Sequence, residues 1–215
     1  MEHSVVSTPA TRPHHKHPEL LDAEGHVCAF FHSEDEEYEV LLPFIKEGFD
    51  RGERICHIVD PEQRADHLRR LGTVGIDVVD AQRRGQLVVL DWSQTYLYNG
   101  HFDQHRVMAQ LATARAEGRN QGYLRTRFVA HMEWALKMGI VDELVEYEVT
   151  SNFAPLDGDV AICTYQLAEW GGRLLVNALR SHPLVILGGL LHENPFYVPP
   201  MLKSGQAEGL GLAQG

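Results

Sequence analysis

The chain has 215 residues, roughly one and a half typical domains, and 44% of them are hydrophobic, enough for one substantial core. Lys and Arg number 19 against 30 Asp and Glu, and the resulting charge of −11 speaks against a surface built to contact nucleic-acid phosphates. No apolar run approaches the ~18 residues of a membrane span, and three cysteines without a C-x-x-C pair exclude a disulfide framework and a four-thiolate zinc centre. These bounds describe a cytoplasmic domain with no direct contact to nucleic acid or membrane.

In chain order, residues 1–23 mix Ser, Thr and Pro with the run His14-His15-Lys16-His17 and are expected to form a disordered His-rich leader. Residues 24–202 should form the single packed domain, and 203–215 a flexible Gly-rich tail. His26–Phe31 reads as a buried strand. Ser33 with Glu36 has the form of a capping box, and Tyr38, Leu41, Leu42, Ile45 and Phe49 follow at helical spacing up to Gly52. Pro43 inside that pattern predicts a kink or an early first turn. Arg54–Val59 is the second strand. Asp60-Pro61 should then cap a helix that runs to Leu71. Gln86–Leu90 is a strand, Phe102–Glu117 a helix, and Arg125–Trp134 contains a strand. Asp142–Asn152 is a helix, Asp159–Tyr165 a strand, Glu169–Arg180 a helix and His182–Leu187 a sixth strand. His192-Glu-Asn-Pro195 looks like an ordered terminal loop.

Strands that alternate with helices predict an α/β, three-layer fold: a mainly parallel sheet with helices on both faces. Ligands in such sheets bind outside the carboxyl ends of the strands. The residues expected there are His32, Asp60, Asp91 and Trp92, His131 to Trp134, Tyr165 and Gln166. The first loop, Phe31–Glu37, has neither the Gly to wrap a phosphate nor the Lys to reach one, and four acids occupy the first helical turn. Triphosphate hydrolysis is not expected at this loop. Glu34 to Glu37 offer either a docking surface for a basic partner or an ordinary solvated helix start.

Several segments together carry a family resemblance. They are His26-Val-Cys-Ala-Phe-Phe-His-Ser-Glu-Asp-Glu-Glu-Tyr38, Leu41-Leu-Pro-Phe-Ile-Lys-Glu-Gly48, Arg51-Gly-Glu53 and His57-Ile-Val-Asp-Pro61. Met132-Glu-Trp-Ala-Leu136, Tyr147-Glu148 with Asn152, Cys163-Thr-Tyr165, His182-Pro183 and His192-Glu-Asn-Pro-Phe-Tyr197 follow. In this order they resemble the MEDS domain, the methanogen/methylotroph sensory domain of DcmR-like regulators. The resemblance implies a RecA/KaiC-like core with a degenerate P-loop. It also implies a domain that senses a small organic ligand, such as a hydrocarbon derivative, and signals through a protein partner or a homo-oligomer. Two positions depart from the family pattern: His131 stands where an acid commonly precedes Met-x-Trp, and Gln166 where Asp commonly follows Cys-x-Tyr.

Three functions follow as expectations. The first is a non-enzymatic sensor whose ligand-binding residues are His32, Trp92, His131, Glu133, Trp134, Tyr165 and Gln166, the aromatics forming walls for an apolar or planar ligand. The second is a metal-dependent enzyme using His32, His131 and Glu133 as a His/His/carboxylate set. The third is a structural RecA-like assembly module. The sequence names no cofactor. Cys28, Cys56 and Cys163 fall in central strands, either as small hydrophobes or as part of a redox or metal cluster. His26 shares a face with Cys28, and Cys56 or His57 are candidates to lie beside them.

Overall fold

The run Gly25–Phe31 is buried at every position after the first, which is what a strand in the middle of a sheet requires. A computed structural model describes residues 25–152 and 156–199, and the expected leader and Gly-rich tail lie outside them. β1 (Gly25–Phe31) sits between β7 (Val160–Gln166) and β8 (Leu184–Leu187) in a seven-stranded sheet. With β2 (Arg54–Val59), β3 (Leu87–Asp91), β6 (Thr126–His131) and β9 (Leu190–Glu193), the order is β3-β2-β6-β7-β1-β8-β9. All neighbours are parallel except the edge pair β8–β9. A two-stranded antiparallel ribbon, β4 (Leu97–Tyr98) with β5 (His101–Phe102), stands apart.

Alternation along each strand divides the core in two. Val27, Ala29 and Phe31 point into one cluster with Leu41, Phe44 and Ile45 of α1 (Glu34–Asp50). Leu71 of α2 (Arg64–Thr73) and Ala81 of α3 (Val78–Arg83) complete that layer. Cys28, Phe30, Cys163 and Tyr165 point the other way. They meet the short α4 (Trp92–Thr95), α5 (Gln104–Asn120), α6 (Trp134–Met138), α7 (Val141–Ser151) and α8 (Gly172–Ser181). The fold is therefore α/β in three layers, as the alternation of patterns requires.

Several local expectations are corrected. α1 is capped by Ser33, whose side chain accepts from Glu36 N, but Pro43 does not interrupt it. The carbonyl that Pro43 leaves without a donor belongs to Glu39, which is exposed. Asp60-Pro61 does not start α2. Asp60 instead holds a turn, accepting from Glu62 N at 2.9 Å, and the helix begins after Gln63. His182–Leu187 extends into a hairpin, so Leu190–Glu193 becomes the edge strand where a loop was expected. Asn194 fixes its end by donating to the carbonyls of Leu179 and His182.

Candidate functional site

The ends of β2, β3, β6 and β7 and the first turn of α1 frame a crevice at the carboxyl edge of the sheet. It encloses a cavity of ≈ 100 Å³ whose walls include Glu37, Trp92, His131, Glu133, Trp134 and Gln166. Gln166 ties the walls together: Nε2 donates to Glu37 Oε2 at 2.6 Å, and its backbone N donates to Glu133 Oε1 at 3.2 Å. His131 Nε2 lies 3.4 Å from Glu37 Oε1. Burial pushes Glu37 and Glu133 up to about 7 and lowers His131. Burial in the crevice thus favours the protonated form of both carboxyls and the neutral form of the imidazole. At its rim Lys137 pairs with Asp60.

Behind His131 runs a buried chain of hydrogen bonds. Tyr38 Oη and His67 Nδ1 are 2.7 Å apart, and His67 Nε2 and His57 Nδ1 are also 2.7 Å apart. The His67 ring stands edge-on to His131, with centroids 6.0 Å apart. Burial lowers His57 to about 3 and His67 well below its ordinary value.

Five of the seven expected ligand residues thus come together: Trp92, His131, Glu133, Trp134 and Gln166. Two do not. His32 is exposed, and its backbone N donates to Glu36. Tyr165 follows strand alternation to the opposite face, where its hydroxyl donates to Glu148 at 2.8 Å. The set His32, His131 and Glu133 accordingly does not converge on one point. The acids at the start of α1 do not form a free patch either. Glu37 is buried, Asp35 pairs with Arg70, Glu34 accepts from Gln63, and Glu36 accepts from His32 N.

A second cavity, of ≈ 390 Å³, lies between α5 and the sheet. Ile58, Tyr96, Met108, Leu111, Phe128 and Tyr147 supply much of its wall. It exists because α5 presents Ala112 and Ala116 to the sheet, where larger side chains would fill the gap. Arg115 and Arg119 line it too, and both are tied to Asp159, at 3.1 and 3.6 Å.

The profile of the MEDS domain, described as the methanogen/methylotroph, DcmR sensory domain, matches residues 25–183. The chain belongs to the MEDS family. No curated protein matches it. Among solved structures it is similar to a KaiC-like protein from the hyperthermophilic archaeon Pyrococcus horikoshii OT3. Identity is 15%, the TM-score 0.51, and the match covers 75% of this chain and 68% of that one. A likeness this distant bears on the fold alone and agrees with the RecA/KaiC-like core. Family membership gives the MEDS domain a sensory role.

Sequence reasoning missed the apolar cavity of this MEDS domain and the part Glu37 plays in the crevice. The signal for the cavity was available: Met108, Leu111, Ala112, Arg115 and Arg119 recur at helical spacing, with a small residue in the middle of the stripe. Cys28 and His26 share a face, as alternation requires. Cys163 of β7 joins them, whereas Cys56 and His57 lie on β2, two strands further on. Among the described residues no helix is long and apolar enough to cross a membrane.

Proposed function

We propose that this domain senses a small, largely apolar organic molecule held in the cavity beneath α5, without hydrolysing a nucleoside triphosphate. The observation that carries the reading is the cavity itself. Its ≈ 390 Å³ falls within the range of ligand pockets, and its wall is mostly aliphatic and aromatic with a few polar groups at the edge. Against nucleotide stand the β1–α1 loop, which has no Gly and no Lys, and the four acids of the first turn of α1. Signal would pass to a protein partner or a second copy through α5, which forms one wall.

The test is thermal unfolding of the full chain with short-chain alkyl halides and alcohols, set beside an Ala112→Phe variant that fills the cavity. A ligand-dependent rise in Tm, lost in Ala112→Phe, supports the reading. No rise with any of these probes, or a rise that survives the variant, sinks it. Titration calorimetry with magnesium and ATP should give no heat of binding.

The crevice favours a second reading, in which a polar ligand binds among Trp92, His131, Glu133 and Gln166. The specific support is the pair of carboxyls raised to about 7 beside His131, a set able to exchange protons near neutrality. Binding there would depend on pH between about 5 and 8. Because the groups that titrate near neutrality are Glu37 and Glu133, Glu133→Gln would reduce that dependence; an unchanged pH profile would exclude Glu133 from the site.

A further inference from the structure

On the opposite face of the sheet from the crevice, four donor groups meet in the interior. They are His26 on β1, Cys163 on β7, Glu148 on α7 and His182 just after α8, all buried. One ligand atom from each lies within 4.8 Å of every other. Glu148 Oε2 is 3.1 Å from His26 Nε2, 3.3 Å from His182 Nε2 and 3.7 Å from Cys163 Sγ, while His26 Nε2 is 3.3 Å from that sulfur. Donors bound to one tetrahedral ion at about 2.0–2.3 Å stand about 3.3–3.8 Å from one another. The four groups are close to that spacing already.

The outer contacts fix how the rings face. Asn152 Nδ2 donates to the carbonyls of Glu148 and Ser181, which leaves Oδ1, 3.2 Å from His26 Nδ1, as an acceptor. His182 Nδ1 lies 2.7 Å from the carbonyl of Ala178. Each ring therefore carries a proton on Nδ1 and turns its Nε2, the position left for a metal, toward the carboxylate. His182 Nε2 makes no hydrogen bond and is enclosed. Tyr165 occupies the other carboxylate oxygen by donating to Glu148 Oε1. Two imidazole nitrogens, a sulfur and a carboxylate oxygen thus converge on one buried point.

We propose that His26, Glu148, Cys163 and His182 form a buried binding site for one divalent transition-metal ion of the zinc class. One sulfur, two imidazole nitrogens and one carboxylate oxygen are a donor set suited to tetrahedral Zn²⁺. On binding, the Cys163 thiol gives its proton to solvent and becomes a thiolate. The thiolate and Glu148 then balance the two positive charges, leaving a neutral buried centre. The hydrogen bonds from Nδ1 supply the outer support that metal-bound histidines ordinarily have. Entry is through the apolar cavity, whose wall includes His26 and Cys163.

The experiment uses the full chain, reduced, stripped with a chelator and titrated with CoCl₂. The expected result is one equivalent bound, with a near-ultraviolet thiolate-to-cobalt charge-transfer band and about one proton released per ion. Cys163→Ala should lose the band and Cys56→Ala should keep it. X-ray absorption on the zinc-loaded wild type should show one sulfur and three nitrogen or oxygen neighbours. That measurement decides alone if Cys163→Ala does not fold. A wild type without the band, a zinc shell without sulfur, or a band that survives Cys163→Ala overturns the site. Metal binding is read without any organic ligand, so its failure would leave the sensory reading of the cavity standing.

Discussion

Gln166 Nε2 stands 2.6 Å from Glu37 Oε2, joining the last residue of β7 to the first turn of α1. The amide both satisfies a buried carboxyl and avoids placing a second charge beside it. Gln166→Asp would place a second carboxyl beside Glu37. We predict a loss of stability on the order of 3 kcal/mol at pH 8, where both would be charged, and a smaller loss at pH 5.5, where they can share a proton. Urea unfolding at the two pH values checks this; equal losses would mean that the two side chains do not meet.

Glu133 and Glu37, raised by burial to about 7 from 4.5, hold their protons in the fold where an unfolded chain has released them. The stability gained from this is complete below about pH 4.5 and is lost as pH rises through about 7. Glu133→Gln keeps one side chain neutral throughout. Its unfolding free energy should match the wild type near pH 4.5 and exceed it by about 2 kcal/mol at pH 8. A constant difference across the range would show that Glu133 titrates normally.

The buried imidazoles act in the opposite sense. His57, lowered to about 3, contributes stability that is present above about pH 6.5 and is lost as pH falls toward 3. His57→Leu removes that loss but leaves His67 Nε2 without its partner. The variant should be about 1–2 kcal/mol less stable at pH 7.5 and lose less on acidification. Chemical unfolding from pH 7.5 to 4 should give two curves that converge toward low pH.

Arg127, fully buried, pairs with Glu53, donates to the Phe44 carbonyl at 2.7 Å and lies 4.3 Å from the Phe44 ring centroid. A Cβ on Gly48 would fall 2.6 Å from Arg127 Cδ. Gly48→Ala lies in a helix, where alanine is ordinarily favoured by about 1 kcal/mol. Here we expect a loss of about 2–3 kcal/mol, because the displaced guanidinium would leave the largely buried Glu53 with only the longer contact to Arg125, at 3.8 Å. A neutral or stabilising result in thermal unfolding would show that Arg127 moves freely.

The central strands were legible to within a residue or two, because a strand covered on both faces must be an unbroken apolar run. The short helices Val78–Arg83, Trp92–Thr95 and Trp134–Met138 were not, since one or two turns leave no measurable period. Reasoning from strand ends led to His131, Glu133 and Gln166, which line one crevice. Tyr165 was misassigned because the face of β7 depends on its neighbours, and the sequence does not show which strands they are. Glu37 was hidden among Glu34, Asp35 and Glu36, which are exposed or half-buried. The donors His26, Glu148, Cys163 and His182 come from β1, β7 and the segments of α7 and α8, so no local spacing announces them.

The position of β1 has a consequence for how the chain is made. Its partners are Val160–Gln166 on one side and Leu184–Leu187 on the other, so this buried strand is synthesised well before either neighbour. On the ribosome, α1 can shield only one face of Gly25–Phe31, and both edges stay open until β7 and β8 emerge. Such long-range pairing slows folding and exposes an aggregation-prone segment throughout. Truncation ahead of Val160 would leave that strand without either neighbour.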